Sequence, residues 1–167
     1  MLHHLTISHY ALIEHLDIDF NSGFTVITGQ TGAGKSIMLG ALNLLLGGRA
    51  DAKSIQSGEK KCTVEASFNI ENLGLESFFA RNDIDFDATD CIIRREVLQS
   101  GKSRAFINDT PVPAAKLKEI GASLIDIHSQ HQNLLIRNEH FLIDTLDIIA
   151  AHPQAVSDYK CLYGQCK

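Results

Sequence analysis

A chain of 167 residues is long enough for one domain with a real core and too short for two comfortable ones. With 44% hydrophobic and 21% charged residues, and no apolar run near the roughly 20 residues that span a bilayer, it reads as a soluble globular protein. A formal net charge of −5 excludes nucleic-acid binding by bulk charge, so any such contact has to come from a local patch or a partner.

"MLHHLTISHYALIEHLDIDF" has neither the basic start nor the continuous apolar stretch of a secretion signal, and two histidines interrupt it. A cytoplasmic location is expected. Within this stretch "LTIS" and "LIEHLDIDF" alternate as strands do, with Leu16, Ile18 and Phe20 on one face. "NSG" at 21–23 marks a turn. "FTVIT" at 24–28 is short, β-branched and almost wholly apolar, which suits a central strand buried on both faces. Ser36 to Leu46 is apolar nearly all round, as a buried helix is, and Gly47 and Gly48 end it.

Lys60 and Lys61 form one basic cluster, and Arg94, Arg95, Lys102 and Arg104 another; each alone reads as a solvated strand face. "CTVEASFNI" alternates, with Val64, Ala66, Phe68 and Ile70 on one side. "CIIRREVL" and "SRAFIND" flank "QSGK" and predict a hairpin. A helix starts near Pro113, whose missing N–H costs nothing in a first turn. "LIDIH" predicts another buried strand, and "HFLIDTLDIIAAH" a helix that Pro153 interrupts or follows with the next. In the tail, Val156, Tyr159, Tyr163 and Cys166 stand at coiled-coil spacing, over barely more than one heptad, so an ordinary amphipathic helix stays open beside the coiled coil. The cysteines, Cys62, Cys91, Cys161 and Cys166, form no C-x-x-C pair and read as reduced and structural.

One motif carries chemistry. "GQTGAGKS" at 29–36 fits G-x-x-x-x-G-K-[ST] in full, with a strand-like run before it and a helix-like run after it. A triphosphate tail is a dense anion, and successive backbone N–H groups can surround it only where no Cβ blocks the approach. Gly29, Gly32, Ala33 and Gly34 meet that need, and the helix N-terminus adds its dipole. Lys35 brings a mobile charge to the β/γ-phosphates, and the Ser36 hydroxyl a hard oxygen for Mg²⁺. The expected nucleotide contacts run through Gly29, Gln30, Thr31, Gly32, Ala33, Gly34, Lys35, Ser36 and Ile37, with Mg²⁺ beside them, and the loop by itself does not name the nucleotide.

A P-loop protein also needs an acid after an apolar strand, and the one candidate is Asp126, which equally suits a plain strand edge. His128 and His131 stand three apart in "IDIHSQHQN", but a zinc site would need further ligands and no cysteine is near. A polar loop after a buried strand, where ligands sit in α/β folds, is the simpler reading.

"LTISHYALIEHLDIDFNSGFTVITGQTGAGKSIMLGALNLLLGGRAD", "SRAFINDTPVP" and "LIDIHSQHQNLLI" together resemble the N-terminal half-head of the RecN family, bacterial DNA double-strand-break repair ATPases of the SMC type. The likeness runs from Leu5 to about Asp147; the P-loop is generic, whereas "LGGRAD" and the H-x-Q-H segment are specific. The chain has His9-Tyr10 where the family has Asn-Phe, Gln30 where it has Glu, and Ser129 where it has Gly, and none of these removes a phosphate or metal group. The resemblance implies that Gln130 is the Q-loop glutamine reaching Mg²⁺ and the attacking water, so that Lys35 and Gln130 serve hydrolysis and Ser36 and Gln130 the metal. It implies that Arg49 turns toward nucleotide or DNA, and that the hairpin from Arg94 to Arg104 lies on the head's β-subdomain.

No L-S-G-G-[EQ] signature and no convincing Walker B strand occurs in this chain. The resemblance places both in a C-terminal half beyond a coiled coil. The expected fold is thus α/β, a P-loop NTPase of the ABC/SMC half-head type, with a mixed sheet and an antiparallel β-subdomain. Residues 1–150 would form the half-head and 151–167 the start of the coiled coil. Implied partners are double-stranded DNA ends and a second copy through heads and coiled coil, without a membrane, in a nucleoid-associated cytoplasmic setting. A small P-loop kinase or other P-loop NTPase is the alternative enzyme, although no lid is evident; a non-catalytic scaffold leaves the P-loop unexplained.

Overall fold

The computed structural model describes residues 1–30, 34–127, 146–147, 149–150 and 152–165. They divide into two compact units, Met1–Ile127 and His128–Lys167.

The first unit is organised by alternation. β1 (Leu2–Tyr10), β2 (Ile13–Asp19), β3 (Lys61–Phe68), β4 (Cys91–Leu98), β5 (Ser103–Ile107) and β6 (Thr110–Val112) form one sheet in the order β2-β1-β3-β4-β5-β6, antiparallel at every step. On one face of that sheet Leu5, Ile7, Cys62, Val64, Ala66, Phe68, Cys91, Ile93, Val97, Ala105 and Ile107 are all buried. A period-2 apolar pattern can do this only if one face is covered. The cover comes from helices α1 (Lys35–Leu45), α2 (Glu76–Asn82) and α3 (Ala114–Leu124), which bury Met38, Ala41, Leu42, Leu44 and Leu45, then Phe78 and Phe79, then Leu117 and Ile120.

The opposite face is polar and paired. Arg94 bridges to Asp109 at 3.0 Å and Glu65 at 3.5 Å and lies over the Phe106 ring at 4.6 Å. Lys61 meets Glu96 at 3.3 Å, and His4 meets Asp19 at 2.7 Å and Thr6 at 3.0 Å. The expected β3 face and β4–β5 hairpin are therefore present, and the antiparallel subdomain has grown into the whole described sheet.

Several expectations are corrected. Residues 24–28 form no strand, and their side chains face solvent, Phe24 at 93% and Val26 at 64% exposure. A two-sided buried strand takes its burial from neighbours on both edges and layers on both faces, and the described residues supply neither. The "LIDIH" strand is absent for the same reason over its described part: residues 125–127 are not in strand, although Ile125 and Ile127 pack against the core. α1 is not buried all round, because Ser36, Leu39 and Asn43 share an exposed stripe. Pro113 caps α3 from just outside it rather than within its first turn. Arg95 does not lie on a solvated face; it is 4% exposed, on the core side of β4.

Two elements escaped the sequence. α2 is only seven residues long and has no side-chain cap, so it shows too little periodicity. β6 follows a two-residue turn, Asn108-Asp109, with φ of 46° and 60°, which is the left-handed pair that closes tight hairpins. Asn108 secures it, accepting from Ile92 N at 2.8 Å and donating to the Asp85 carbonyl at 2.7 Å.

In the second unit α4 runs from Pro153 to Gln165, so Pro153 opens a helix, as it can in a first turn. Tyr159 and Tyr163 stack at 5.8 Å, and Leu162 beside them is exposed. Cys166, the next position of the expected seam, lies outside the described residues, as does most of the helix expected at 140–152; Leu146, Asp147, Ile149 and Ala150 within it are helical. No described helix is long and apolar enough to cross a membrane.

Cys62 and Cys91 are free, buried thiols on the core face, and burial pushes the Cys91 thiol up to about 12. Folded protein should therefore resist alkylation at both positions at pH 8, while urea-unfolded protein reacts at both, as peptide mass mapping would show. The neutral thiol is the form favoured by folding. This contribution is complete below the ordinary thiol value near 9 and is lost as pH rises from there toward 12. Rapid labelling of Cys91 in folded protein would contradict the packing.

Candidate nucleotide site

The site is built at the N-terminus of α1. Gly34 caps the helix in the left-handed region, at φ 93° and ψ 0°, and an added Cβ there would meet nothing within 4 Å. The position requires glycine for its backbone, and no described residue fills the space beside it. Met38 N donates to the Gly34 carbonyl at 2.9 Å and starts the helical ladder. No side chain caps the first turn and no acid lies in it. Its N–H groups and the positive end of the dipole therefore face outward without an internal anion.

Lys35 turns back over the loop. Its Nζ donates to the Gly29 carbonyl and, at 2.8 Å, to the Gln30 carbonyl. A single ammonium thus draws the two ends of the 29–34 loop together. It sits where an anion arriving at the helix N-terminus would meet it, exchanging weak carbonyl partners for charged oxygens. Ser36 follows on the exposed side of the first turn, its hydroxyl available to a metal-bound phosphate, and Ile37 is half-buried behind it.

The far end of α1 fixes this geometry. Leu46 ends the helix, Gly47 N donates to the Leu44 carbonyl at 3.2 Å, and Gly48 N donates to the Asn43 carbonyl at 2.9 Å, with Gly47 at φ 90°. This is a Schellman ending, which needs a left-handed residue at the position of Gly47. Gly47 also lets α3 come close, since a Cβ there would lie 2.6 Å from Lys118 N and 2.9 Å from the Ala114 carbonyl. Just beyond, Arg49 is exposed and has no ion pair among the described residues.

The structure thus brings Gly29, Gln30, Gly34, Lys35, Ser36 and Ile37 together. Thr31, Gly32, Ala33 and Gln130 lie outside the described residues, as do His128 and His131. Asp126 is exposed beyond α3 and follows no strand. Among the described residues no cluster of three or more His, Cys, Asp or Glu side chains has a metal-holding arrangement. The Schellman anchor was open to sequence reading only as a helix stop; its contact with α3 was not, because Lys118 and Ala114 are about seventy residues away.

A protein-family model described as "AAA domain" matches residues 4–158. The DNA repair protein RecN of Vibrio cholerae is 41% identical over 152 residues, which are 91% of this chain and 27% of that protein. RecN of Halalkalibacterium halodurans is 42% identical over 171 residues, 99% of this chain and 30% of that one. This chain therefore spans less than a third of the length of these curated relatives. Among solved structures, one described as "Structural biochemistry of ATP-driven dimerization and DNA stimulated activation of SMC ATPases" matches with a TM-score of 0.59 at 22% identity, over 99% of both chains, which shows the SMC-head fold. The half-head fold expected from the sequence stands, and so does the RecN resemblance. The chain belongs to the AAA domain family and, within it, is similar to the N-terminal part of RecN.

Proposed function

We propose that this chain is the ATP-binding half of an SMC-like head whose full-length protein works in DNA double-strand-break repair and recombination. The observation that carries the reading is Lys35 folded onto the Gly29 and Gln30 carbonyls at an acid-free helix N-terminus. That arrangement suits a polyphosphate and little else. ATP with Mg²⁺ is the proposed pair: Gly34 and the first-turn N–H groups of α1 hold phosphate oxygens, Lys35 neutralises the β/γ charge, and Ser36 ligates the metal. Bound Mg²⁺ would polarise the γ-phosphate. Gln130 is proposed to orient the lytic water and Arg49 to turn toward nucleotide or DNA. Residues 1–150 are assigned to the half-head and 151–167 to the start of a coiled coil, whose seam Val156, Tyr159 and Tyr163 would begin. The full-length protein would act in the cytoplasm on double-stranded DNA ends, as a homodimer joined through heads and coiled coil.

Hydrolysis needs a signature motif, which this chain does not carry, and a catalytic acid after an apolar strand, for which its one candidate, Asp126, follows no strand. The purified 167-residue chain should therefore bind ATP yet show negligible phosphate release, whereas the full-length protein turns over. Calorimetry and a phosphate-release assay test both halves of the statement. Robust turnover by the chain alone would overturn the split-head reading in favour of a self-sufficient P-loop kinase or NTPase.

A further inference from the structure

Arg95 lies on the wrong face of its strand for a charge. Along β4, Cys91, Ile93, Arg95 and Val97 alternate onto the core side. The register sets Arg95 between Val64 of β3 and Ala105 of β5, both buried. At 4% exposure it is the one buried charged residue among the described residues. Its strand neighbour Arg94 faces the other way, and the nearby acids serve that side: Glu65 and Asp109 pair with Arg94, and Glu96 with Lys61. Among the described residues Arg95 has no ion pair, and its Nε has no hydrogen-bond partner. Its Nε is sealed from solvent with no hydrogen-bond partner, inside a residue that is 4% exposed as a whole.

Burial opposes the charge on Arg95, and a guanidinium cannot shed that charge as a lysine can. A charge so placed is strongly unfavourable without an anion, and an apolar side chain would fill the same space at less cost. The planar fork of arginine fits a carboxylate with two parallel bonds. The chain spans 27% of the length of its Vibrio cholerae relative, so most of such a protein lies beyond these residues. Phe24 and Val26, exposed on the same unit, likewise suit a surface built to be covered.

We propose that Arg95 is the docking residue for a carboxylate side chain on a segment of the full-length protein outside this chain, the two forming a buried ion pair that fastens that segment to the core side of the sheet. The proposal rests on the chain being part of a longer protein and not on the nucleotide reading; ATP affinity is its separate control.

The test compares Arg95→Met and Arg95→Lys by thermal unfolding, in the full-length protein and in the 167-residue chain. In the full-length protein Arg95→Met should lower the melting temperature of the head by about 5 °C or more, because it strands the buried carboxylate. Arg95→Lys should retain over half of that stability, since an ammonium still pairs. In the 167-residue chain Arg95→Met should raise the melting temperature, since there it only removes an unpaired charge. If Arg95→Met fails to fold in the full-length protein while stabilising the short chain, the proposal is equally supported. A full-length protein that Arg95→Met stabilises or leaves unchanged overturns it. So does inorganic phosphate that stabilises the wild-type short chain but not its Arg95→Met variant, which would make the partner a small anion.

Discussion

Lys35→Ala should abolish measurable ATP binding and leave the fold intact. Lys35 is half-buried at the start of α1, and among the described residues its hydrogen bonds go to the Gly29 and Gln30 carbonyls, not to the core. Removing it deletes no buried apolar contact, and a melting curve near that of the wild type is expected. What is lost is the one side-chain cation of the loop. A hydrogen bond to a charged partner contributes about 1.5–3 kcal/mol, so loss of the Lys35 contacts should weaken ATP by roughly a hundredfold or more. Lys35→Arg keeps the charge but carries a broader, planar head that the tight loop does not accommodate, and should recover little. Calorimetry with circular dichroism on the three proteins decides the matter. A folded Lys35→Ala protein with wild-type ATP affinity would remove the loop from the site.

How much of this was legible in the sequence depends on where each element finds its burial. β1, β3, β4 and β5 carry their own signal, because a half-buried strand writes alternation into its residues; Cys62, Val64, Ala66 and Phe68 are one such record, fully met. The P-loop was legible because phosphate chemistry fixes residue types at fixed spacing. Residues 24–28 look like a strand and form none, because a doubly buried strand records only that it is apolar, and not whether its neighbours are at hand. Arg95 is a different lesson. The alternation of Cys91, Ile93, Arg95 and Val97 already assigned it to the core face, but a charged residue invites the solvated reading even against the strand's own period. Asn108-Asp109 likewise carries a turn signal in its residue types, which tolerate the left-handed conformation that both adopt. The α1–α3 contact was beyond reach, since no local pattern states which distant backbone a glycine will meet.

That contact should carry a large stability effect. Gly47→Ala should destabilise the protein by about 3 kcal/mol or more, because two costs coincide there. The first is conformational: φ of 90° lies where an L side chain is strained, at about 1–2 kcal/mol. The second is steric, since the new Cβ would lie 2.6 Å from Lys118 N and 2.9 Å from the Ala114 carbonyl, both backbone atoms of α3 that no rotamer change can move aside. Gly58 separates the two. Its φ is 94°, nearly the same, yet a Cβ there meets nothing within 4 Å. Gly58→Ala should therefore show the conformational cost alone, about 1–2 kcal/mol. The steric cost should also reach the site, because prising α1 from α3 tilts the helix whose first turn presents Gly34, Lys35 and Ser36. The Gly47→Ala protein, measured while still folded, should bind ATP more weakly, and the Gly58→Ala protein as the wild type does. Denaturant melts and calorimetry on both variants suffice. Equal stability losses at the two glycines would mean that the close approach of the helices contributes nothing and that α1 is held by its apolar face alone.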